Sequence, residues 1–453
     1  MSRRFHLRYD NMTPLNVASQ TTDMQKLNAI ILTGLCLLFG CDLSAPPPIP
    51  AIVEGDSMAP TVCGDHLQVT CVECEFEFKA GVVKKADFKL ACPNCGNREL
   101  MLADAAVVAS TEVQLQPFSK FPRRWDVVGF ELPDDAKSKT GIKRIVGLPG
   151  ETIEFRDGDL YSNGNVLRKS WDLQKEVRVP VFDSKFNAIV PFDNSSRFRF
   201  DDSSGWEVRD SELRFSSLDS QTQWLDYIQW RNVLRVGKRD EAFPIEDSYG
   251  FNQEVVRKLN PTDDLMLQLD VAFENDSEMV LLFRRGQSEF EFTITRTEEE
   301  FRFQWEGESE RKPLVCKSIL QEANPQGLIE FSSFDQTLML RINGTSVFEL
   351  RENESSPKSG GGSLDGELKL PFRLGGSKGM FRIERFQLWR DLYYLPAPSG
   401  FEPSEDLKLT AGADEYILLG DNCPVSLDSR SWEKPGISRS KLIGRLVLPK
   451  ESQ

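Results

Sequence analysis

Between Leu265 and Ile342 apolar side chains recur at every second position. They run Leu265, Leu267, Leu269, Val271 and Phe273, then Phe290, Phe292 and Ile294, then Phe301, Phe303 and Trp305, then Leu338, Leu340 and Ile342. A period of two sends one face of a strand into a core and the other into water, a pattern that a helix cannot satisfy. The Asn343-Gly344 pair between two such stretches is a hairpin signal, because both residues accept the positive φ of a tight turn. The same grammar extends from about Trp171 to Tyr394, with a flexible loop at residues 357–362, and it predicts antiparallel sheets packed as a two-sheet sandwich.

The chain has 453 residues, room for two or three domains, and its 40% apolar content suffices for ordinary cores. A formal charge of −15 excludes nucleic acid as a partner, since phosphate binding needs a basic surface. One segment is a membrane candidate: residues 27–39 are apolar and extend to 45, where Pro46-Pro47-Pro48 forces an extended exit. Arg3, Arg4, Arg8 and Lys26 precede it, which places the N-terminus in the cytoplasm and everything after Pro46 outside. A second reading starts at Met24 and makes Cys41 the lipidated residue of a lipoprotein signal. Both readings tether the bulk of the chain to the outer face of a membrane.

Cys71-Val72-Glu73-Cys74 and Cys92-Pro93-Asn94-Cys95-Gly96 are two CxxC pairs separated by residues 75–91. That spacing fits a four-cysteine zinc ribbon with a structural role, because four thiolates leave the metal no open position for chemistry. Two disulfides are the alternative in an oxidising compartment. Phe76, Phe78, Val82 and Val83 indicate a small β module around the pairs, and Cys36, Cys41, Cys63, Cys316 and Cys423 show no metal spacing.

The candidate chemistry lies in two short segments, Ser57-Met58-Ala59-Pro60-Thr61 and Lys143-Arg144-Ile145-Val146-Gly147-Leu148-Pro149-Gly150. With only His6 and His66 in the chain and no GxSxG elbow, a serine nucleophile would need a base other than histidine. A lysine serves if burial lowers its pKa towards neutrality. Ile142, Ile145, Val146 and Leu148 supply the apolar surroundings that this requires.

These segments resemble the successive boxes of the bacterial type I signal peptidases, membrane-anchored Ser-Lys peptidases of the S26 family. Residues 55–61 with Gly64-Asp65 match the nucleophile box, residues 124–130 resemble the R-G-D-[IV]-V-x-F strand, residues 143–150 match the lysine box, and residues 420–430 resemble the G-D-N-x-x-x-S-x-D-S-R box. The resemblance implies that Ser57 is the nucleophile and Lys143 the general base, that the Ser57 N–H supports the oxyanion, that Ser426 orients the lysine amine, and that Asp428 and Arg430 pair to hold their loop. Gly55 and Met58 belong to the nucleophile box as supporting residues. The chain departs from the pattern at Gly55, where some members carry an oxyanion-assisting serine, at Trp125 in place of glycine, and at Cys423-Pro424 in place of Arg-Asp. Cys423 reads as a small packed residue rather than a nucleophile. Residues 338–344 and 386–394 look similar to concanavalin-like jelly rolls.

The resulting expectation is a mostly β chain: a cytoplasmic N-terminus at 1–26, a membrane anchor at 27–45, a peptidase core in two parts at 46–168 and 396–453, a zinc-ribbon-like insertion at 66–112, and a β-sandwich insertion at 171–395. The implied function is removal of signal peptides from exported preproteins, with small residues preferred at the first and third positions before the scissile bond and no cofactor for catalysis. Cell-envelope recognition is a further role open to the sandwich. Two alternatives stand beside it: a self-cleaving repressor-type peptidase with the same dyad chemistry, which would need a DNA-binding helix pair where the membrane segment stands, and, from a different class, a membrane-tethered lectin-like binding protein with a vestigial peptidase core. Because neither member of the Ser57–Lys143 pair comes from residues 171–395, replacing that stretch by a short linker is expected to leave peptide cleavage within about tenfold, about 1.4 kcal/mol in barrier.

Overall fold

The strand Thr140–Gly147 is buried at every position, as expected of a central strand covered on both faces. It carries Lys143 and Arg144, whose side chains point to opposite faces because successive residues alternate. The computed structural model describes residues 46–447 apart from 84–87, 102–104, 111, 133–139, 187–196, 210, 230–241, 275, 286–287, 297–299, 308–318, 321–325, 352–369 and 400–406. The expected membrane segment at 27–45 and the loop at 357–362 therefore lie outside the described residues. Among the described residues no helix is long and apolar enough to cross a membrane.

Thr140–Gly147 sits in a seven-stranded antiparallel sheet of order Ile49–Ile52, Glu112–Gln116, Leu442–Val447, Val127–Glu131, Thr140–Gly147, Glu415–Leu419, Gly436–Ser438. Strands from the two ends of the chain thus interleave in one sheet, and the segment between them leaves and returns. A four-stranded sheet continues the theme: Thr152–Arg156 pairs on one side with Asp159–Ser162 and on the other with Lys408–Thr410. Apolar clusters fill both faces, including Val128, Phe130, Ile145, Tyr416 and Leu418 on one and Val53, Met58, Leu115 and Ile142 on another.

The period-two stretches form the sandwich that they predict. Leu265, Leu267, Leu269, Val271, Phe273, Phe290, Phe292, Ile294, Phe303, Leu338, Leu340 and Ile342 all lie in one buried cluster; the side chains of Phe301 and Trp305 lie outside the described ones. Asn343 and Gly344 take φ of 50° and 75° between Thr337–Ile342 and Thr345–Arg351, the geometry of a two-residue hairpin. The two layers share one strand, Phe372–Arg390. Its first half pairs with Gln223–Tyr227 and Ser277–Arg285, its second with Leu265–Phe273 and Val179–Asp183. The strand changes partners near Gly379, whose φ of 75° and close approach to the Ser277 Cα exclude a side chain.

The departing and returning ends of this segment are fastened beside the core. Helix Trp171–Val177, capped by the Ser170 side chain, leads into Val179–Asp183, which pairs with the end of Phe372–Arg390. The Tyr394 N–H then donates to Gly158 O at 3.0 Å. Between the two ends Lys169 donates to Asp335 at 2.5 Å and Asp391 at 2.6 Å, all three buried. Both carboxylates come from the inserted segment, and the paired charges leave no bare ion in the interior.

Residues 66–108 form a smaller unit wedged between the two larger ones. His66–Thr70 pairs with Glu77–Gly81 and Ala106–Val108, and Lys89–Leu90 with Leu100–Met101. Strand Glu112–Gln116 already belongs to the seven-stranded sheet. Buried Asn94 docks the unit on the sandwich: its side chain donates to Asp183 O and Phe186 O and accepts from Asp183 N, at 3.2, 2.7 and 2.7 Å. The described residues are mostly β and antiparallel.

Candidate active site

Lys143 Nζ lies 2.6 Å from Ser57 Oγ. Ser57 stands on a turn whose ends meet through Gly64 N–H to Gly55 O at 3.2 Å, while Met58 is buried and its carbonyl accepts from Val62 at 3.0 Å. Lys143 comes from the middle of the buried central strand. Burial pushes its amine down from the ordinary lysine value to about 8; the Asp428 and Asp421 carboxylates pull upward and the Arg430 guanidinium pushes further down.

The third segment, residues 420–430, closes on this pair from behind. Asn422 N–H donates to Ser57 O at 3.0 Å and its side chain to Asp56 O at 2.9 Å. Gly420 is required here by space, since a Cβ would overlap both the Ser57 carbonyl and Ser426 Oγ. Asp428 and Arg430 form a buried bidentate pair, with Nε to Oδ1 at 2.8 Å and Nη2 to Oδ2 at 2.7 Å, and Asp428 also accepts from Gly420 N–H at 3.0 Å. Burial opposes ionisation of Asp428, but Arg430 and the Gly420 amide hold its carboxyl below the usual carboxylate range. Arg430 donates onward to Leu395 O and Cys423 O at 2.8 and 3.0 Å, so the loop is cross-braced by one guanidinium. Arg144 repeats the device on the opposite face of its strand, where Nε and Nη2 meet Asp421 at 2.8 Å each.

The residues of the two motif segments and the last box therefore converge: Gly55, Ser57, Met58, Lys143, Ser426, Asp428 and Arg430 stand in one place. One contact differs from expectation. Ser426 Oγ is buried and makes no hydrogen bond among the described residues, so the bond to the lysine amine implied by the family pattern is not formed. Cys423 is a packed residue, its thiol pushed up to about 12 by burial. Trp125 takes φ of 74° where the pattern has glycine, and its carbonyl accepts from Arg144 at 2.9 Å.

Ser57 and Lys143 open onto a cleft of about 620 Å³. Its walls come from three sources: Phe130, Leu132, Leu427 and Trp432 of the core, Ala80 to Val83 and Leu90 of the cysteine-bearing unit, and Phe251 to Val255 of the inserted segment. The last group corrects the expectation that residues 171–395 stand apart from the site. Nothing in the Tyr249-Gly250-Phe251-Asn252-Gln253 sequence signals this role.

The four cysteines of the CxxC pairs are buried, and their sulfurs lie within 4.8 Å of one another, with Cys71–Cys95 at 3.6 Å and Cys74–Cys92 at 3.7 Å. Zn–S bonds of about 2.3 Å in a tetrahedron put sulfurs about 3.8 Å apart, so the donor set fits zinc. Two matching turns deliver them. Cys71 N–H donates to Phe76 O and Glu75 N–H to Cys71 O at 3.0 and 2.8 Å; Cys92 N–H donates to Asn97 O and Gly96 N–H to Cys92 O at 2.7 and 3.0 Å. None of the four is in a disulfide.

Comparison with known proteins bears on the same residues. Residues 27–213 match the family model of signal peptidase, peptidase S26. The signal peptidase match spans both Ser57 and Lys143. Signal peptidase I V of Bacillus subtilis (strain 168) is 54% identical over 41 residues, 9% of this chain and 23% of that protein. The chain thus spans about a quarter of the length of that curated relative. Solved structures to which parts of the chain are similar include galectin LEC-6 of Caenorhabditis elegans (13% identity, 28% of this chain and 81% of that one, TM-score 0.20). Others are the carbohydrate-binding module CBM66 of Bacillus subtilis (7%, 44% and 97%, 0.23) and the laminarinase catalytic domain of Thermotoga maritima (9%, 47% and 98%, 0.30). At such scores these likenesses carry no argument.

Proposed function

We propose that this chain is a membrane-bound serine endopeptidase that removes signal peptides from exported preproteins, with Ser57 as nucleophile and Lys143 as general base. The observation that carries the reading is the 2.6 Å contact between a buried lysine amine and a serine hydroxyl at the floor of an open cleft. A neutral amine accepts the Ser57 proton as Oγ attacks the scissile carbonyl. The tetrahedral oxyanion forms beside the Ser57 N–H, and the lysine ammonium gives its proton to the leaving amine. Water, deprotonated by the same amine, then hydrolyses the acyl-enzyme. Asp428 and Arg430 keep the last box in place, and Ser426, packed against Gly420, belongs to the same support. Cys71, Cys74, Cys92 and Cys95 would hold a structural zinc that cross-links one wall of the cleft. The domain limits and the membrane tether are those set out from the sequence.

The test is processing of a reporter preprotein in membranes. Wild type is expected to release the mature protein, and Ser57→Ala, Lys143→Ala and Lys143→Arg are expected to release none beyond a trace, since a guanidinium does not give up its proton at usable pH. Full processing by any of these variants overturns the dyad, and a wild type without activity on any preprotein or peptide favours the lectin-like alternative.

A further inference from the structure

Residues 249–255 of the inserted segment reach out of the sandwich and end against the nucleophile turn. The Tyr249 and Phe251 rings stack at 5.8 Å and 19°. Phe251 is buried with Ala59 and Cys63 and covers Gly81, where a Cβ would meet its carbonyl at 3.2 Å. Asn252 and Asn422 face each other as paired amides: Asn252 Nδ2 donates to Asn422 Oδ1, and Asn422 Nδ2 donates to Asn252 Oδ1 at 3.0 Å. Gln253 grips the backbone of Ala91, accepting from its N–H at 2.6 Å and donating to its carbonyl at 2.8 Å. Three consecutive side chains thus fasten three different parts of the molecule.

The middle one leads to the reacting serine. Asn422 is 1% exposed and is the residue whose main chain holds Ser57 O and whose side chain holds Asp56 O. A primary amide has two donors and one acceptor oxygen. In Asn422 the acceptor and one donor contact face Asn252, which fixes the orientation of the amide and so keeps its nitrogen aimed at Asp56. Without Asn252 the Asn422 oxygen is a buried acceptor that lacks this partner, and the amide gains by rotating away.

We propose that Asn252 is a positioning residue for Ser57, acting through Asn422, so that the inserted sandwich takes part in a reaction to which it contributes no reacting group. The inference rests on Ser57 being the nucleophile of the proposed peptidase. Its test is a double-mutant cycle on peptide cleavage with Asn252→Ala, Asn422→Ala and the pair. Asn252→Ala is expected to lower kcat by about ten- to a hundredfold with KM changed less than about threefold, as a misplaced nucleophile does. The double variant is expected to be no slower than Asn422→Ala alone. An unchanged kcat, a loss confined to KM, or additive effects overturn the proposal.

A second arm needs no peptide substrate. In Ser57→Cys protein, alkylation at position 57 by iodoacetamide is followed against pH by mass spectrometry, since thiolate formation reports the setting of the side chain beside Lys143. Adding Asn252→Ala is expected to move that profile to higher pH, and an unmoved profile overturns the proposal. A moved profile in a protein that cleaves no peptide upholds the positioning role while the peptidase reading falls.

Discussion

The sandwich and the seven-stranded sheet are both antiparallel, yet their interiors are filled in opposite ways. At the centre of the sandwich Phe283, Phe292, Phe331 and Phe372 pack ring on ring, with centroids 4.9 to 5.8 Å apart. At the centre of the smaller sheet Arg144 pairs with Asp421 and Arg430 with Asp428, all with buried side chains, and the buried Lys143 amine meets the Ser57 hydroxyl. Apolar packing is non-directional, tolerant of small shifts, and strongly stabilising. Buried ion pairs gain little stability but fail badly when one member or its geometry is lost. The sandwich is therefore built to be stable, and the sheet around Ser57 is built to be exact in position.

The sharpest way to break this contrast pairs one substitution from each region. Gly420→Ala, whose Cβ overlaps the Ser57 carbonyl, is expected to lower kcat at least about a hundredfold while the protein stays folded. Phe331→Ala in the sandwich is expected to cost about 3–5 kcal/mol in urea unfolding and leave kcat of the folded protein near wild type. Near-normal cleavage by Gly420→Ala, or an inactive but stable Phe331→Ala, erases the distinction. Next in size is excision of the sandwich in favour of a Gly-Ser linker between residues 171 and 394. Because Asn252 leaves with it, cleavage of a short Ala-x-Ala peptide is expected to fall by more than about tenfold, about 1.4 kcal/mol, and a smaller loss shows the site to be complete without the arm.

The pH profile tests the burial of Lys143 directly. Cleavage is expected to rise with pH and reach half its maximum near the amine value of about 8, with a tenfold loss per unit well below it. The stability linkage has a definite sign. The folded value lies below the ordinary one of about 10.4, so the contribution of the neutral amine is present above that pH and lost as pH falls through about 8. At pH 6 Lys143→Met should therefore melt at a higher temperature than wild type while cleaving nothing. A flat rate profile or a less stable variant removes Lys143 as the base. The smallest effect is expected from the metal. Purified protein should contain about one zinc per chain by elemental analysis, and a chelator should lower the melting temperature and slow cleavage less than about tenfold by loosening one cleft wall. Disulfides among Cys71, Cys74, Cys92 and Cys95 in mass spectrometry would replace the metal by a covalent staple.

What the sequence made legible follows from the range of each signal. Period-two alternation is local, so the strands at 265–273 and 337–342 could be read directly. The two CxxC pairs carry their geometry within a few residues each. The convergence of Ser57, Lys143 and residues 420–430 was readable through the family pattern, but not the contact that Ser426 fails to make, which depends on side-chain rotation within a packed interior. The arm at Asn252 and the buried cluster of Lys169, Asp335 and Asp391 had no local mark at all. Their partners lie 166 to 222 residues away, and nothing short of the folded sheets sets one against the other.

The interleaved sheet also fixes a schedule. Ser57 is held by Asn422, and the side chain that aims it sits 366 residues beyond Asp56. A ribosome adding about 5–20 residues each second makes that interval last about 20 to 70 s. Throughout it the nucleophile turn lacks its back wall and strand Leu442–Val447 does not yet exist, and for most of it Glu415–Leu419 and the shared strand Phe372–Arg390, which joins the layers of the sandwich, are missing too. A half-made chain consequently lacks the finished site of the proposed peptidase until its final box has been delivered.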